Sequence, residues 1–131
     1  MNAGEAHSAT LWMRAASGLE VLTGVGLIAV PSLLARLLFG SDLNAAGEAT
    51  GRIAGLVMLC LAAGCWPRGS EDGGSRALAP LLALSLLAAL YLAIVGLSGA
   101  NVGLLLWPAF VAHAILAGLL AWSWISGRAA K

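Results

Sequence analysis

The sequence predicts an all-α protein, a bundle of four transmembrane helices with both chain termini in the cytoplasm. The composition is the first observation: 60% of the 131 residues are hydrophobic, 10% are charged, and the mean hydropathy is +0.93. A water-soluble domain has about 25% charged residues, because its surface must be solvated. The second observation is that the apolar residues fall into four stretches separated by polar breaks. The third, the distribution of basic residues, sets the orientation.

The first apolar stretch covers residues 11–30 and continues into a short extension, residues 31–39. About 20 helical residues cross a hydrocarbon core of about 30 Å, so residues 11–30 already suffice for one span. Pro31 has no backbone N–H and clashes with the preceding turn, so we expect the helix to bend or stop there. The extension is then either a continuation beyond a kink or a short interfacial helix, from which Arg36 reaches toward lipid headgroups.

The second helix is predicted over residues 44–66. Asn44 is a typical N-cap residue, because its side-chain oxygen can accept a hydrogen bond from an N–H of the first turn. Glu48 and Arg52 are one helical turn apart with the acid first, which is the favourable order for a helical ion pair. A solvated ion pair is one interpretation of Arg52, and contact with an anionic ligand or lipid headgroup is the other.

The third and fourth helices are predicted over residues 77–97 and 102–125, and each is long enough to cross a membrane. The break between them is short and contains Gly99, which can adopt the left-handed conformation that ends a helix. We therefore expect a tight antiparallel hairpin. Residues 67–76 are polar and rich in glycine, so they are predicted to connect the second and third helices. Residues 1–131 are thus predicted to form a single transmembrane domain.

Basic residues are enriched on the cytoplasmic side of membrane proteins, and this bias sets the orientation. Arg36 and Arg52 are predicted on one side of the membrane. More basic residues are predicted on the side of the termini, namely Arg14, Arg68, Arg76, Arg128 and Lys131. Both termini are therefore expected in the cytoplasm of a multi-pass protein of the bacterial inner (plasma) membrane. The net charge of +1 offers little attraction to nucleic acid, which is not an expected partner.

Glu20 is the most informative residue, because it lies well inside the first span. A charged side chain at the centre of a span costs about 2.5–3.5 kcal/mol on insertion scales, so such groups usually face the protein interior. Its helical neighbours are small or hydroxylic, which predicts that Glu20 points into the bundle. Glu20 and His113 lie about 13 Å and about 19 Å from the cytoplasmic ends of their helices, and Tyr91 lies at a similar depth. These three residues form a candidate ligand or proton site; the alternative is an interhelical hydrogen bond that only fixes the packing.

No catalytic residue, metal site or cofactor is predicted, since no paired-histidine spacing or serine-centred nucleophile motif occurs. The predicted function is therefore a non-enzymatic inner-membrane protein, an accessory or structural component of a membrane assembly. Its expected partners are membrane lipid and either other membrane-protein subunits or further copies of the chain. Two alternatives stay open. One is a small proton-coupled transporter that uses Glu20, and the other is a quinone- or lipid-binding protein in which Glu20, Tyr91 and His113 surround an apolar pocket.

Two parts of the chain resemble membrane-protein families. Residues 34–40 and 51–66 resemble small bacterial four-helix membrane proteins that are loosely DoxX-like, which implies a four-helix bundle and no established chemistry. The segment Gly18-Leu-Glu20-Val-Leu resembles the first helix of small multidrug resistance transporters, in which a glutamate exchanges protons for cations. That resemblance implies a transport role for Glu20 and Tyr91, although the tryptophan that the family has beside this tyrosine is missing.

Overall fold

A computed structural model describes residues 3–67, 75–99 and 102–129, and these residues are helical apart from short connections. The helices are α1 (Ala3–Ala29), α2 (Pro31–Phe39), α3 (Ala45–Cys65), α4 (Ser75–Ser98) and α5 (Leu106–Ala129). All except α2 are long and apolar enough to cross a membrane. The prediction of an all-α fold with four spans is confirmed, and the fold is that of a multi-pass membrane protein by length and composition.

The helix bounds differ from the predicted bounds at two main places. α1 begins at Ala3 rather than at residue 11, because the residues in between contain no proline and include good helix formers. α5 begins at Leu106 rather than at residue 102, because the preceding backbone is bonded to α2 instead. Two residues used to predict the orientation, Arg68 and Lys131, lie outside the described residues. The cytoplasmic location of the termini stays a prediction.

α1 and α2 are separate helices that meet at Pro31. Val30 has φ −140° and ψ 58°, which lies outside the helical region, and it is the N-cap residue of α2. Pro31 occupies the start of α2, where its missing N–H breaks no helical hydrogen bond and its fixed φ suits the helix. Of the two predicted alternatives, the structure therefore shows a short separate helix rather than one continuous kinked helix.

The long helices form two antiparallel pairs, which pack against each other. α1 packs mainly against α3, and α4 packs mainly against α5. α1 also contacts α4 and α5, so it carries most of the contact between the two pairs. Gly99 has φ 68° and ends α4 in the left-handed conformation that the sequence predicts.

α1 and α3 approach each other most closely where Gly24 faces Gly55. A Cβ atom added to Gly55 would lie 2.6 Å from the carbonyl oxygen of Gly24, and one added to Gly24 would lie 2.9 Å from that of Gly55. Small residues allow such close packing between membrane helices, where the lipid leaves little hydrophobic driving force. This reciprocal contact fixes the distance between the two helices.

The apolar core lies near the end of the bundle where α1 begins and α5 ends. Each of the four long helices contributes buried side chains to it: Met13, Ala16, Cys65, Leu78, Leu81 and Leu120. Contacts within this core hold the two helical pairs together at that end. We call this region the terminal end of the bundle.

The opposite end of the bundle is closed by α2 together with residues 102–105, and we call this region the α2 end. The last carbonyl groups of a helix have no partner within the helix. In α2, the Leu38 carbonyl accepts a hydrogen bond from the Gly103 N–H (3.0 Å), and the Leu37 carbonyl accepts one from the Leu105 N–H (2.7 Å). A side chain at position 103 would collide with the backbone of Leu37. Backbone hydrogen bonds therefore join the two helical pairs at this end.

Candidate functional site

Glu20 faces the interior of the bundle, as the sequence predicts, with only 2% of its surface exposed. It lies on one face of α1 with other buried residues at helical spacing, namely Met13, Ala16, Ser17 and Gly24. Residues three and four positions apart share a helix face, so the face that packs on the other helices is also the face that carries the carboxyl. The carboxyl is thereby removed from lipid and from water.

Glu20 belongs to a polar layer beside the apolar core, which contains the buried residues Ser17, Glu20 and Ser85, and we call it the interior layer. Glu20 lies about 6 Å from Ala16 along α1, by helical rise, on the side of the α2 end. On α4, Ser85 stands at the same distance of about 6 Å from the core residue Leu81, and it is 1% exposed. The interior therefore changes from apolar to polar within about one helical turn.

His113 of α5 is the titratable residue that interacts with Glu20. The imidazole is partly buried, and the carboxyl and imidazole interact electrostatically across the boundary between the two helical pairs. Among the described residues, no direct hydrogen bond or close ion pair joins the two side chains. The Nδ1 atom of His113 lies 2.8 Å from the Ala109 carbonyl oxygen. A carbonyl only accepts, so Nδ1 donates this hydrogen bond.

The hydroxyl of Ser17 is the one unpartnered polar atom among the buried side chains that the structure describes. Other helical hydroxyls bond to a carbonyl of their own helix, as Ser123 does to Leu119 (2.9 Å) and Thr50 does to Ala46 (2.9 Å). Ser17 is 0% exposed and lies three residues before Glu20, on the same face. Buried polar groups nearly always have a partner, so this hydroxyl is an exception among the described side chains.

Tyr91, the third residue of the predicted site, lies on the outer surface of the bundle. Its side chain is 60% exposed, and its ring stands edge-on to that of Phe39, with the ring centroids 6.5 Å apart. The structure therefore buries Glu20, partly buries His113 and leaves Tyr91 facing outward. Any pocket built on all three residues would need a rearrangement of α4.

Arg52 forms the predicted ion pair with Glu48, at 3.2 Å. The sequence did not indicate the third member of this group, Ser32 of α2, whose hydroxyl donates to the other carboxylate oxygen of Glu48 at 2.7 Å. The contact crosses from one helix to another, so no local spacing could reveal it. The group connects α2 to α3 and leaves the Arg52 side chain 49% exposed.

Arg36 pairs with Asp42, a contact that the sequence also did not indicate. Its Nε and Nη2 atoms donate to the two carboxylate oxygens, at 2.9 Å and 2.7 Å. These hydrogen bonds lower the pKa of the Asp42 carboxyl below its ordinary value. Asp42 lies beyond the end of α2, so the pair follows from the turn at Gly40 and not from a helical repeat. Arg36 is 62% exposed and can still contact a headgroup.

The fold and the interior layer define a small all-α chain with four helices of membrane-spanning length, a buried carboxyl (Glu20) and a partly buried imidazole (His113). The described residues contain no group of three or more histidine, cysteine or acidic residues that could hold a metal ion. The chain matches no protein-family model, no curated protein and no solved structure. The two resemblances noted in the sequence therefore stay predictions.

Proposed function

We propose that this protein is a non-enzymatic component of a membrane assembly in the bacterial inner membrane, where it packs laterally against other membrane helices. The observation that carries the proposal is how little of each span the single chain covers. In the most apolar part of the four spans, only 17–28% of the residues are buried inside the bundle. The rest of this surface faces lipid or other proteins.

Three glycines mark places on this surface where another helix could approach closely. A Cβ atom added at Gly18, Gly64 or Gly118 would meet nothing within 4 Å. Each of them is exposed on a different long helix. Exposed small residues let helix backbones come together in lipid, which is the usual basis of helix association there.

The proposal is tested by purification from native membranes in mild detergent, with leucine placed at each open glycine in turn. Gly18→Leu, Gly64→Leu and Gly118→Leu add bulk outside the bundle and replace a poor helix former, so the bundle itself should fold. We expect the unmodified chain to purify with a stoichiometric partner or as a defined oligomer. At least one of the leucine variants should lose that association.

The matched control is Leu22→Ala, which changes an exposed position of the same kind (72% exposed) without adding bulk. It should leave the association unchanged. A monodisperse single chain in every preparation, with or without the substitutions, would contradict an assembly role. Circular dichroism of each variant checks that the helices are intact.

A second candidate function, proton-coupled transport that uses Glu20, is favoured by the buried carboxyl itself. An ionisable residue inside a membrane bundle is costly to keep there and usually marks an ion or proton path. Here the carboxyl belongs to one helical pair and the imidazole belongs to the other. A protonation change at this boundary would alter the attraction between the two pairs.

The transport candidate is tested in proteoliposomes with a trapped pH-sensitive dye and ethidium as an aromatic cation. If it is right, an ethidium gradient drives proton movement, and Glu20→Gln abolishes that movement while the protein stays folded. Glu48→Gln is the control, because it changes a glutamate of the same chain that lies in the partly exposed group at the α2 end. Equal proton movement in the Glu20→Gln liposomes and the unmodified ones would exclude this function.

A further inference from the structure

Tyr91 presents a phenol hydroxyl on the outer surface of a helix of membrane-spanning length. Its side chain is 60% exposed, and the hydroxyl forms no hydrogen bond among the described residues. Tyrosine in membrane proteins usually has its ring in the apolar region and its hydroxyl on a polar partner at the membrane interface. The hydroxyl of Tyr91 therefore needs a partner from outside the described part of the chain.

The ring contact with Phe39 places Tyr91 beside the end of α2 and its ion pair. The two ring centroids are 6.5 Å apart. Arg36 precedes Phe39 by three residues, and residues three apart are neighbours on the surface of a helix. Asp42 is joined to Arg36 by two hydrogen bonds. A guanidinium, a carboxylate and a phenol therefore lie at one corner of the α2 end, and all three side chains are exposed.

α2 lies at the level where lipid headgroups are expected. Its Ser32 hydroxyl bonds to Glu48, so α2 stands at the height of Glu48 along α3. Trp66 is exposed at the other end of α3, and tryptophan is enriched at membrane interfaces. Glu48 and Trp66 are 18 residues apart, about 27 Å by helical rise, which is close to the hydrocarbon thickness of about 30 Å. When Trp66 lies at one interface, α2 therefore lies at the other.

The Arg36–Asp42 pair keeps hydrogen-bonding capacity for a ligand. Arg36 uses Nε and Nη2 on the carboxylate, and its Nη1 atom has no partner among the described residues. Each carboxylate oxygen of Asp42 accepts one hydrogen bond from Arg36 and has a further lone pair. The pair as a whole is neutral, so it presents a cation and an anion side by side.

We infer that Arg36, Asp42 and Tyr91 bind the headgroup of a phospholipid that carries a primary ammonium group, as in phosphatidylethanolamine. Nη1 of Arg36 and the hydroxyl of Tyr91 donate to the phosphate, and the ammonium group donates to the carboxylate of Asp42. Each charge of the headgroup thereby meets the opposite charge on the protein. The inference goes beyond the assembly role and does not depend on it.

The surface of α4 next to Tyr91 suits the acyl chain of that lipid. Leu87 lies about one turn from Tyr91 toward the middle of the span, and Ala83 lies about one turn further. Both are exposed, and this spacing puts them on the helix face that carries the phenol ring. The polar contacts at the α2 end therefore continue into an apolar strip, which a lipid requires and a free phosphate ion does not.

Other occupants fit the charges of this corner less well. A headgroup with a phosphate and no ammonium would bring its negative charge against the carboxylate of Asp42. A quaternary ammonium has no N–H group to donate to that carboxylate. An apolar helix of a second chain would give the Tyr91 hydroxyl and the ion pair no new partner. The charges therefore favour the zwitterionic headgroup with a primary ammonium.

Native mass spectrometry of the full chain in mild detergent tests the inference. The probes are phosphatidylethanolamine, phosphatidylcholine and phosphatidylglycerol with identical acyl chains. We expect the unmodified chain to retain phosphatidylethanolamine about fivefold more than either other lipid, the effect of about one hydrogen bond. Tyr91→Phe removes only the hydroxyl, so this retention should fall about fivefold, and Arg36→Gln should lower it at least as far.

Asp42→Asn should reverse the lipid preference. Without the carboxylate, Arg36 leaves the corner with a net positive charge, so the variant should retain phosphatidylglycerol more than phosphatidylethanolamine. Arg14→Gln is the matched control for Arg36→Gln, because it removes an exposed arginine at the terminal end. It should leave the preference for phosphatidylethanolamine within about twofold. The substituted side chains are exposed, so the bundle should fold, and circular dichroism checks it.

Equal retention of the three lipids by the unmodified chain would overturn the headgroup site, as would unchanged retention of phosphatidylethanolamine in Tyr91→Phe. An unchanged preference in Asp42→Asn would overturn the contact with the ammonium group. Glycerophosphoethanolamine has no acyl chains and should not displace the lipid at equal concentration; displacement would overturn the apolar strip. A dimer in place of the lipid-bound chain would show that a second copy covers this face, and it would overturn the lipid assignment.

Discussion

The α2 end and the interior layer hold polar groups in opposite ways. At the α2 end, Arg36 is fully paired with Asp42, and the carboxylate of Glu48 is shared by Ser32 and Arg52. Most of these side chains are exposed to about half their surface. In the interior layer Ser17, Glu20 and Ser85 are buried, and the Ser17 hydroxyl has no hydrogen-bond partner among the described residues.

The difference separates polar groups that help to hold the fold together from polar groups that do not. Exposed ion pairs contribute little to stability, about 0–1 kcal/mol each, but they can orient α2 on the bundle at almost no energetic cost. Buried groups without partners destabilise a fold by about 1–3 kcal/mol each, so they persist only where something else is gained. The interior layer is therefore where a function inside the bundle is expected.

The largest expected change in the free energy of unfolding comes from moving α1 away from α3. This movement would open the interior layer. Gly55→Leu places a side chain where the nearest atom is the backbone oxygen of Gly24, 2.6 Å from the Cβ position. Backbone atoms cannot shift as a flexible side chain can, so we expect the free energy of unfolding to fall by about 3 kcal/mol or more. Thermal unfolding in mild detergent, followed by circular dichroism, measures it.

Gly64→Leu is the matched control for that variant, on the same helix. A Cβ atom at Gly64 meets nothing within 4 Å, so its unfolding free energy should stay within about 0.5 kcal/mol of the unmodified chain. If both variants unfold alike, the reciprocal contact between Gly24 and Gly55 does not hold the helices.

Ser17→Ala is expected to change the free energy of unfolding by an intermediate amount, and whether that energy falls or rises is informative. If the hydroxyl binds a bridging water, Ser17→Ala removes a satisfied group and should lower the free energy of unfolding by about 0.5–1.5 kcal/mol. Ser123→Ala is the control, because its hydroxyl bonds only to its own helix (2.9 Å), and little change is expected. A more stable Ser17→Ala protein would mean that the hydroxyl is truly unpartnered.

A smaller effect is expected where α2 is joined to α3. Ser32→Ala removes the 2.7 Å hydrogen bond to Glu48 and leaves the ion pair with Arg52 in place. Because the group is partly exposed, water replaces the lost partner, and we expect a loss of at most about 1 kcal/mol. Amide hydrogen exchange in α2 should increase locally, whereas Ser41→Ala in the nearby exposed connection should leave it unchanged. Unchanged exchange in Ser32→Ala would show that this contact does not hold α2.

The smallest expected effect is the pH dependence of the stability that the Arg36–Asp42 pair contributes. The pKa of Asp42 is lowered in the folded protein, so the pair stabilises the fold above the ordinary carboxyl pKa and is lost as the pH falls through the lowered value. The unmodified chain should have a slightly higher melting temperature than Asp42→Asn at about pH 6, and this difference should vanish once the pH falls below the lowered pKa of Asp42. If the difference in melting temperature stayed constant over this pH range, the substitution would act through something other than the ion pair.

The sequence predicts the parts of this molecule that depend on local patterns. Four apolar stretches, Pro31 and Asn44 are enough to predict the spans, the break before α2 and the start of α3, where Asn44 accepts from the Gly47 N–H at 2.8 Å. The inward direction of Glu20 also follows, because its helical neighbours are small and polar. These features need only helical geometry and the chemistry of single residues.

Contacts between distant segments could not be predicted in the same way. Nothing local connects Ser32 to Glu48, or Gly103 to the last carbonyls of α2. The missing partner of Ser17 is likewise visible only once the helices are packed, since an isolated helix would let this hydroxyl bond to its own backbone. Tyr91 was predicted to join the site because it lies at a similar depth to Glu20 and His113. Its outward direction could not be predicted, because depth in the membrane does not determine which way a side chain faces.

A double-mutant cycle between Glu20 and His113 tests the central claim most directly. The free energy of unfolding is measured for the unmodified chain, Glu20→Gln, His113→Gln and the double variant in the same detergent. If the two residues form one interior site, the effects of the single substitutions are not additive, and the coupling energy is about 1 kcal/mol or more. Additivity within about 0.3 kcal/mol would mean that the carboxyl and the imidazole are independent, and it would contradict the claim.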